Sequence, residues 1–385
     1  MMKAYRNANL HTPRGVIPQG TLYVNAVGIV DRIAEASERL DPGYEAIDMG
    51  GLDLLPGLID VHVHGGGGWN VMGATHAELD GLCRFHASQG TTALLATTVA
   101  DRPEVLEQAL RAIKSAVDRG VGGAELLGAH LEGPFLNVSR AGAQNKDAIY
   151  LPNDERIGRL LHAAEGSIRL VTLAPEIPGG LDCARRFVRE GTTVSIGHSA
   201  ASYAETLQAV ELGASHTTHH FNGMSPLHHR EPGVAGAGLM SDRLTIELIM
   251  DGLHVRPELI KWVYDVKGAR GICAVTDAIH CAGMPDGDYG YVVKQGDRIV
   301  LQSDGVSLAG SSLTMIRALR NAVRFTGYAV ERLLPSFTEV PARQAGVGHR
   351  KGSLEQGKDA DFIVVDEDLQ LYSVVVRGRQ VHHIA

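Results

Sequence analysis

From residue 55 to 280 the chain alternates short apolar runs with longer amphipathic stretches, and no other feature constrains its fold as tightly. The apolar runs read as strands: "LLPGLIDVHVH" (54–64), "TTALLATTV" (91–99), "ELLGAHLEGPF" (125–135), "RLVTLAPE" (169–176), "TVSIGHS" (193–199), "SHTTHHFN" (215–222), "LTIELIMDGLHV" (244–255) and "GICAVTDAI" (271–279). Between them lie helix-like segments such as 102–120 and 202–213. Strands interleaved with helices predict a parallel sheet, since a crossover helix returns the chain to the same end of the sheet. Eight such units in roughly 250 residues predict an α/β fold of the (β/α)8 TIM-barrel type. The rival, an open doubly wound sheet, normally carries a glycine-rich phosphate turn after its first strand, and no G-x-G-x-x-G or P-loop stands there.

The ends read differently. Residues 1–54 and 350–385 hold strand-like pieces joined by tight turns, and neither tail could bury a core alone. Together they predict one small β-sandwich domain, interrupted by a barrel over 55–349. The net charge of −8 argues against nucleic acid or an anionic membrane as the main partner, while leaving room for a local positive pocket. Cys83, Cys183, Cys273 and Cys281 are scattered without a C-x-x-C, so buried reduced thiols are expected. The first residues lack an apolar signal core and no apolar run reaches ~18 residues, which gives a cytoplasmic location as the default expectation.

Histidine, with 18 copies, is the outlier. Residues i and i+2 of a strand share a face, so His62 and His64 project together, followed by four glycines that let the backbone turn. A TIM barrel carries its catalytic groups at the C-terminal ends of its strands. Those ends hold His62 and His64, His130 and Glu132, His198, His219 and His220, Asp251 and His254, and Asp277. Taken singly, any of these histidines reads better as a hydrogen-bonded residue near a loop than as a ligand; the joint pattern does not. A buried ring of imidazoles and carboxylates, however, requires a cation. The donor set suits zinc, with Fe2+ or another divalent ion as the alternative. Two positions can be drawn: Glu132, His198 and His219; and His62, His64 and Asp277, with Glu132 able to bridge. Such an ion acidifies water and polarises a carbonyl, the two needs of amide hydrolysis, and Asp277 is the candidate for proton transfer.

The motifs "PGLIDVHVHG", "GAHLEGPFLN", "SIGHSAAS", "THHFNGMSPLHHREPG", "DGLHV", "VTDA" and "LAGSSLTM" follow one another in an order that resembles the amidohydrolase superfamily and, within it, the N-acetylglucosamine-6-phosphate deacetylases. The resemblance spans nearly the whole chain. It implies hydrolysis of the acetamide of N-acetylglucosamine 6-phosphate to glucosamine 6-phosphate and acetate, one or two divalent ions per subunit, and a homodimer. It also implies Glu132, His198 and His219 as metal ligands and Asp277 as the catalytic acid and base. Asn222, Gly223, Arg230 and His254 match positions that hold the sugar phosphate, Arg230 reaching across from the neighbouring subunit. Leu308, Ala309 and Gly310 match a backbone stretch lining the sugar, and Ala143 and Asp251 are counted with the substrate-binding residues. Some relatives lose the H-x-H pair and keep one metal; this chain keeps both histidines. Gln144 stands where the family usually has a histidine that polarises the substrate carbonyl. It is expected to contact substrate without carrying charge.

His130 is a candidate to orient a ligand, His216, His228 and His229 read as supporting or loop residues, and His220 as structural. Three other functions stay open. One is deacetylation of N-acetylgalactosamine 6-phosphate. Another is a different amidohydrolase reaction on a phosphorylated amide. The third is a barrel kept as a non-catalytic scaffold, which the intact ligand set disfavours.

Overall fold

The computed structural model describes residues 1–383. Eight parallel strands, Leu58–Val63 (β1), Thr91–Thr97 (β2), Glu125–Glu132 (β3), Ile168–Leu173 (β4), Thr193–Ile196 (β5), His216–Thr217 (β6), Thr245–Ile249 (β7) and Ile272–Val275 (β8), pair in sequence order. Between β8 and β1 the ladder shrinks to the bridge Val63–Ala278, with Asp277 N–H donating to the His62 carbonyl (2.9 Å) and His64 N–H to the Ala278 carbonyl (2.8 Å). Below it, Thr276 Oγ1 donates to the buried Asp60 carboxylate at 2.5 Å, so a side chain fastens the seam where main-chain pairing is sparse.

Helices His76–Ala87 (α1), Pro103–Arg119 (α2), Asp154–Ala164 (α3), Gly180–Arg189 (α4), Tyr203–Glu211 (α5), Gly233–Met240 (α6), Pro257–Lys267 (α7) and Met315–Thr326 (α8) follow the strands. Local chemistry explains their limits. α2 starts with proline at its first turn, where no backbone donor is lost, and stops at Gly120 (φ 79°). It buries Leu106, Leu110 and Ile113 on one face, each apolar side chain contributing about 1.5–3 kcal/mol. α5 opens with a reciprocal Ser202–Glu205 capping box.

Hydrogen bonding joins both ends of the chain into one eight-stranded sheet, in the order Arg379–His383, Leu371–Val376, Phe362–Val365, Asp53–Pro56, Lys3–Thr12, Gly15–Val24 and Val30–Ala34. Lys3–Thr12 forks the sheet: its first half also pairs with Glu45–Asp48 and its second half with Asp53–Leu54. Leu10, Leu22 and Leu54 from one end share a core with Phe362, Val364 and Val375 from the other. Ile363, Val365, Val374 and Val376 pack instead with barrel residues such as Leu58, Ile59 and Leu319.

The run 54–64, expected as one strand, is two. Asp53–Pro56 belongs to the terminal sheet and Leu58–Val63 to the barrel, parted at Gly57, where a Cβ would lie 2.1 Å from Thr92 Oγ1. The strands Gly287–Asp288, Val292–Gln295 and Arg298–Leu301 form a small antiparallel excursion that the sequence reading did not separate from the barrel. All four cysteines are free and buried. No described helix is long and apolar enough to cross a membrane.

Candidate metal centre and active site

Strand ends build the site. β1 supplies His62 and, one residue past its end, His64; β3 ends on Glu132; His198, His219 and Asp277 each stand two residues beyond β5, β6 and β8. The last three hold positive φ values of 47°, 29° and 52°. Left-handed backbone is unfavourable for a residue with a Cβ and persists where the surroundings enforce it, as at functional sites.

The six side chains are buried and converge. Glu132 Oε1 lies 3.3 Å from both His198 Nε2 and His219 Nε2, and those nitrogens are 3.1 Å apart. On the other side Glu132 Oε2 is 3.3 Å from His64 Nε2, Glu132 Oε1 is 3.4 Å from His62 Nε2, and the two Nε2 atoms are 3.2 Å apart. Asp277 Oδ1 completes that side, 3.3 Å from His64 Nε2 and 3.5 Å from His62 Nε2.

The far nitrogens decide what this means. His64 Nδ1 donates to the Thr97 carbonyl (3.1 Å), His198 Nδ1 to the Arg140 carbonyl (2.8 Å) and His219 Nδ1 to the Asn222 carbonyl (3.0 Å). His62 Nδ1 faces the Glu247 carboxylate at 2.8 Å. A carbonyl or carboxylate can only accept, so each Nδ1 carries a proton and each ring turns its Nε2 inward, where that atom takes either a cation or a second proton. Lone pairs 3.1–3.2 Å apart beside carboxylates repel unless a cation lies between them. Donor separations near 3.3 Å are those of a tetrahedron with bonds of about 2.0–2.1 Å. The residues fit a divalent ion in two sets, Glu132–His198–His219 and His62–His64–Glu132.

The electrostatics agree. Burial would lower the pKa of His64, but Asp277 and Glu132 beside it raise it to about 9. Burial would raise Asp277, yet His62 and His64 hold its carboxyl well below the usual carboxylate range. The cluster demands positive charge, whether protons or a metal.

Around it stand the other expected residues. Gln144, expected to touch substrate, sits against the central carboxylate: its Nε2 donates to Glu132 Oε2 (2.6 Å) and its Oε1 accepts from Ala100 N–H (2.8 Å). Neighbouring Ala143 is exposed. Gly223 lies against the ligand rings, where a Cβ would sit 3.1 Å from His198 Nδ1, and Asn222 Nδ2 donates to the His219 carbonyl. Asp251 faces its own loop, accepting from His254 Nδ1 at 2.6 Å and from the backbone of Leu253 and His254. Its charge, and more distantly that of Asp277, raises the His254 pKa against burial. The stretch Leu308–Gly310 runs beside the end of β8, where Ser311 N–H donates to the Asp277 carbonyl at 2.7 Å. Arg230 is exposed on the loop after β6, where its N–H donates to His228 Nδ1.

The supporting histidines have definite partners. His130 Nε2 contacts Thr172 Oγ1 (2.7 Å), and its ring meets the edge of His62 at 4.6 Å without a hydrogen bond to any ligand. His220 binds Thr217 Oγ1 and the Ala235 carbonyl, and His228 stacks on His229 at 4.2 Å in the exposed loop. Glu247, fully buried behind the cluster, was missed by the sequence reading.

A barrel mouth of this kind defines a metal-dependent amidohydrolase, and the model of the Amidohydrolase family matches residues 54–381. N-acetylglucosamine-6-phosphate deacetylase of Vibrio furnissii is 39% identical over 89% of this chain and 86% of its own length. N-acetylgalactosamine-6-phosphate deacetylase of Escherichia coli O157:H7 is 37% identical over 85% and 87%. A mutant N-acetyl-D-glucosamine-6-phosphate deacetylase of Mycobacterium smegmatis, solved in complex with N-acetyl-D-glucosamine-6-phosphate, superposes with a TM-score of 0.92 at 31% identity over 99% of both chains. The chain belongs to the N-acetylglucosamine-6-phosphate deacetylase family.

Proposed function

We propose that this enzyme hydrolyses the acetamide of N-acetylglucosamine 6-phosphate, giving glucosamine 6-phosphate and acetate. The observation that carries the reading is the convergence of four inward-facing Nε2 atoms and two carboxylates at the mouth of the barrel, on a chain whose relatives carry that activity in their names. His62, His64, Glu132, His198 and His219 would hold the metal, with Zn2+ favoured by the mixed imidazole and carboxylate donors and two ions by the doubled set. A bound divalent ion supplies Lewis acidity, lowering the pKa of water and drawing charge from a carbonyl.

Asp277 is ionised at neutral pH and stands at the edge of that set, which suits it to take a proton. It would accept the proton of water as the water oxygen bonds to the acetyl carbon. It would then give that proton to the sugar nitrogen as the carbon–nitrogen bond breaks, leaving acetate and the free amine. His254, with Asn222 and Gly223, would receive the phosphate, Asp251 setting the His254 ring through its Nδ1. Ala143 would flank the sugar and Leu308–Gly310 would offer it backbone groups. Gln144 would touch substrate with the second N–H of its amide, the first being given to Glu132.

Arg230, exposed in a single chain, would reach the phosphate of a neighbouring subunit in a homodimer. Leu259, Trp262 and Val266 present apolar surface along α7, and Leu253 does so beside His254, a face suited to such contact. Residues 1–54 with 350–385 are taken as one domain and 55–349 as the catalytic one. A cytoplasmic site of action fits the four free thiols.

The Escherichia coli relative keeps the galactosamine epimer as the second reading. Turnover of the two 6-phosphorylated N-acetylhexosamines and of unphosphorylated N-acetylglucosamine tests both. A higher kcat/KM for the glucosamine epimer is expected. A preference for the galactosamine epimer would install the second reading, and equal turnover of the unphosphorylated sugar would overturn the phosphate site.

A further inference from the structure

Glu247 lies midway along β7 with its side chain inside the barrel and fully buried. A carboxylate in such a place is costly unless it is paired. One of its oxygens, Oε2, serves both halves of the metal centre: it faces His62 Nδ1 at 2.8 Å and accepts the backbone N–H of His219 at 2.8 Å. The other, Oε1, has no hydrogen-bond partner among the described residues and lies 3.7 Å from His216 Nδ1.

This sets His62 apart from the other imidazoles. His64, His198 and His219 rest their far nitrogens on neutral backbone carbonyls. His62 alone rests on a charge. A carboxylate behind a histidine fixes its tautomer and ring plane and makes the opposite nitrogen a stronger donor, and losing such a partner typically weakens metal binding 10–100-fold. His219 receives a different service. Its backbone is left-handed, with φ 29°, and the hydrogen bond from its N–H to the same oxygen holds that turn in place.

We propose that Glu247 is a positioning residue that makes the His62–His64 position a tight divalent-ion site and ties its geometry to the Glu132–His198–His219 position. The inference rests on the two-ion reading above. Removing the charge at fixed shape weakens the His62 side selectively, because only that ring leans on the carboxylate; a purely structural glutamate would weaken both positions or neither.

The test is ion binding, independent of turnover. Metal-free wild type and Glu247→Gln are titrated with Zn2+ alone, with bound metal counted by elemental analysis and folding followed by circular dichroism. Wild type is expected to hold two ions per chain. The variant should keep one at wild-type affinity and bind the second 10–100-fold more weakly. Adding Glu247→Gln to a His62→Ala chain should weaken the His62–His64 position no further, since Glu247 reaches that position through His62, while the amide oxygen of Gln can still accept the His219 N–H. Two ions held by the variant at unchanged affinity would overturn the inference and leave the two-ion reading standing. A wild type holding fewer than two would overturn both. A second measurement needs no variant: in Zn2+-loaded wild type with 15N-labelled histidine, His62 should show a strongly deshielded Nδ1 proton. Its absence would overturn the role of Glu247 even if the variant does not fold.

Discussion

A methyl group at position 310 would lie 2.4 Å from Ile279 Cγ2 and 2.9 Å from the Asp277 carbonyl oxygen, on backbone with φ 61°. Gly310→Ala must therefore displace the segment that carries Asp277. A loss of about 1–3 kcal/mol is expected, together with a fall in turnover larger than thermal unfolding alone explains; unchanged turnover would mean Asp277 tolerates the shift. Asp277→Asn changes the chemistry and not the space. It should keep its metal and lose about 10²–10⁴-fold in kcat, which elemental analysis and single-turnover kinetics check together. The polar residues at strand ends were legible in the sequence because strand periodicity and barrel topology both point them at the mouth. Glu247 was not. In "LTIELI" a glutamate alternating with apolar residues reads as the wet face of a strand, and only closure of the barrel turns that face inward. The orientation of Gln144 was hidden for a different reason: its contact joins a loop residue to the strand-end Glu132, and spacing along the chain does not encode it.

Among the elements, the junction between β3 and the terminal sheet depends on charge. Glu125 at the start of β3 meets Arg350 Nη2 at 2.5 Å and Lys351 Nζ at 2.9 Å, and the fully buried Lys351 also binds Asp359 (3.0 Å) and Asp361. Burial alone would raise the Glu125 pKa, but Arg350 and Lys351 hold it at about 2. A carboxyl depressed in the folded state stabilises it above its unfolded pKa, about 4.3, and loses that contribution as the pH falls through 2. The shift corresponds to about 3 kcal/mol. Acid unfolding between those values should be shallower in Glu125→Gln, as urea titrations at pH 5 and pH 3 can measure. Lys351→Met leaves the buried Asp361 without its cation, while Arg350 still pairs with Glu125 and Asp359, and should cost about 3–5 kcal/mol at neutral pH. The strands and helices of the barrel were readable because each carries its own period. The split at Gly57 was not, because an apolar run looks the same whichever sheet receives it.

For the molecule as a whole, an ion held by the converging nitrogens and carboxylates would be part of the fold. In the metal-free protein a proton on His64 would take its place. That imidazole, raised to about 9, contributes stability that is complete below its unfolded pKa, about 6.5, and is lost as the pH rises through 9. Chelated protein should therefore melt at progressively lower temperature over that range, while Zn2+-loaded protein holds its melting point and the gap between them widens. Equal melting curves at pH 9 would argue that no ion belongs there. Subunit mixing reads the assembly: Asp277→Asn chains and Arg230→Ala chains, each impaired alone, should recover activity when exchanged, because a hybrid dimer holds one site with both residues. No recovery would place Arg230 outside the neighbour's site.

The terminal sheet has a consequence for how the chain is made. Asp53–Pro56 has Lys3–Thr12 along one edge, but its other edge is covered only by Phe362–Val365, so at about 5–20 residues per second a ribosome needs roughly 15–60 s to deliver the missing strand. Throughout that interval a hydrogen-bonding edge stands open while the barrel is threaded out behind it, an invitation to mispairing between nascent chains on one message. The last strands to emerge are thus the ones that cap the first, and a ribosome stalled short of residue 362 would release a chain whose opening strands remain without their lid.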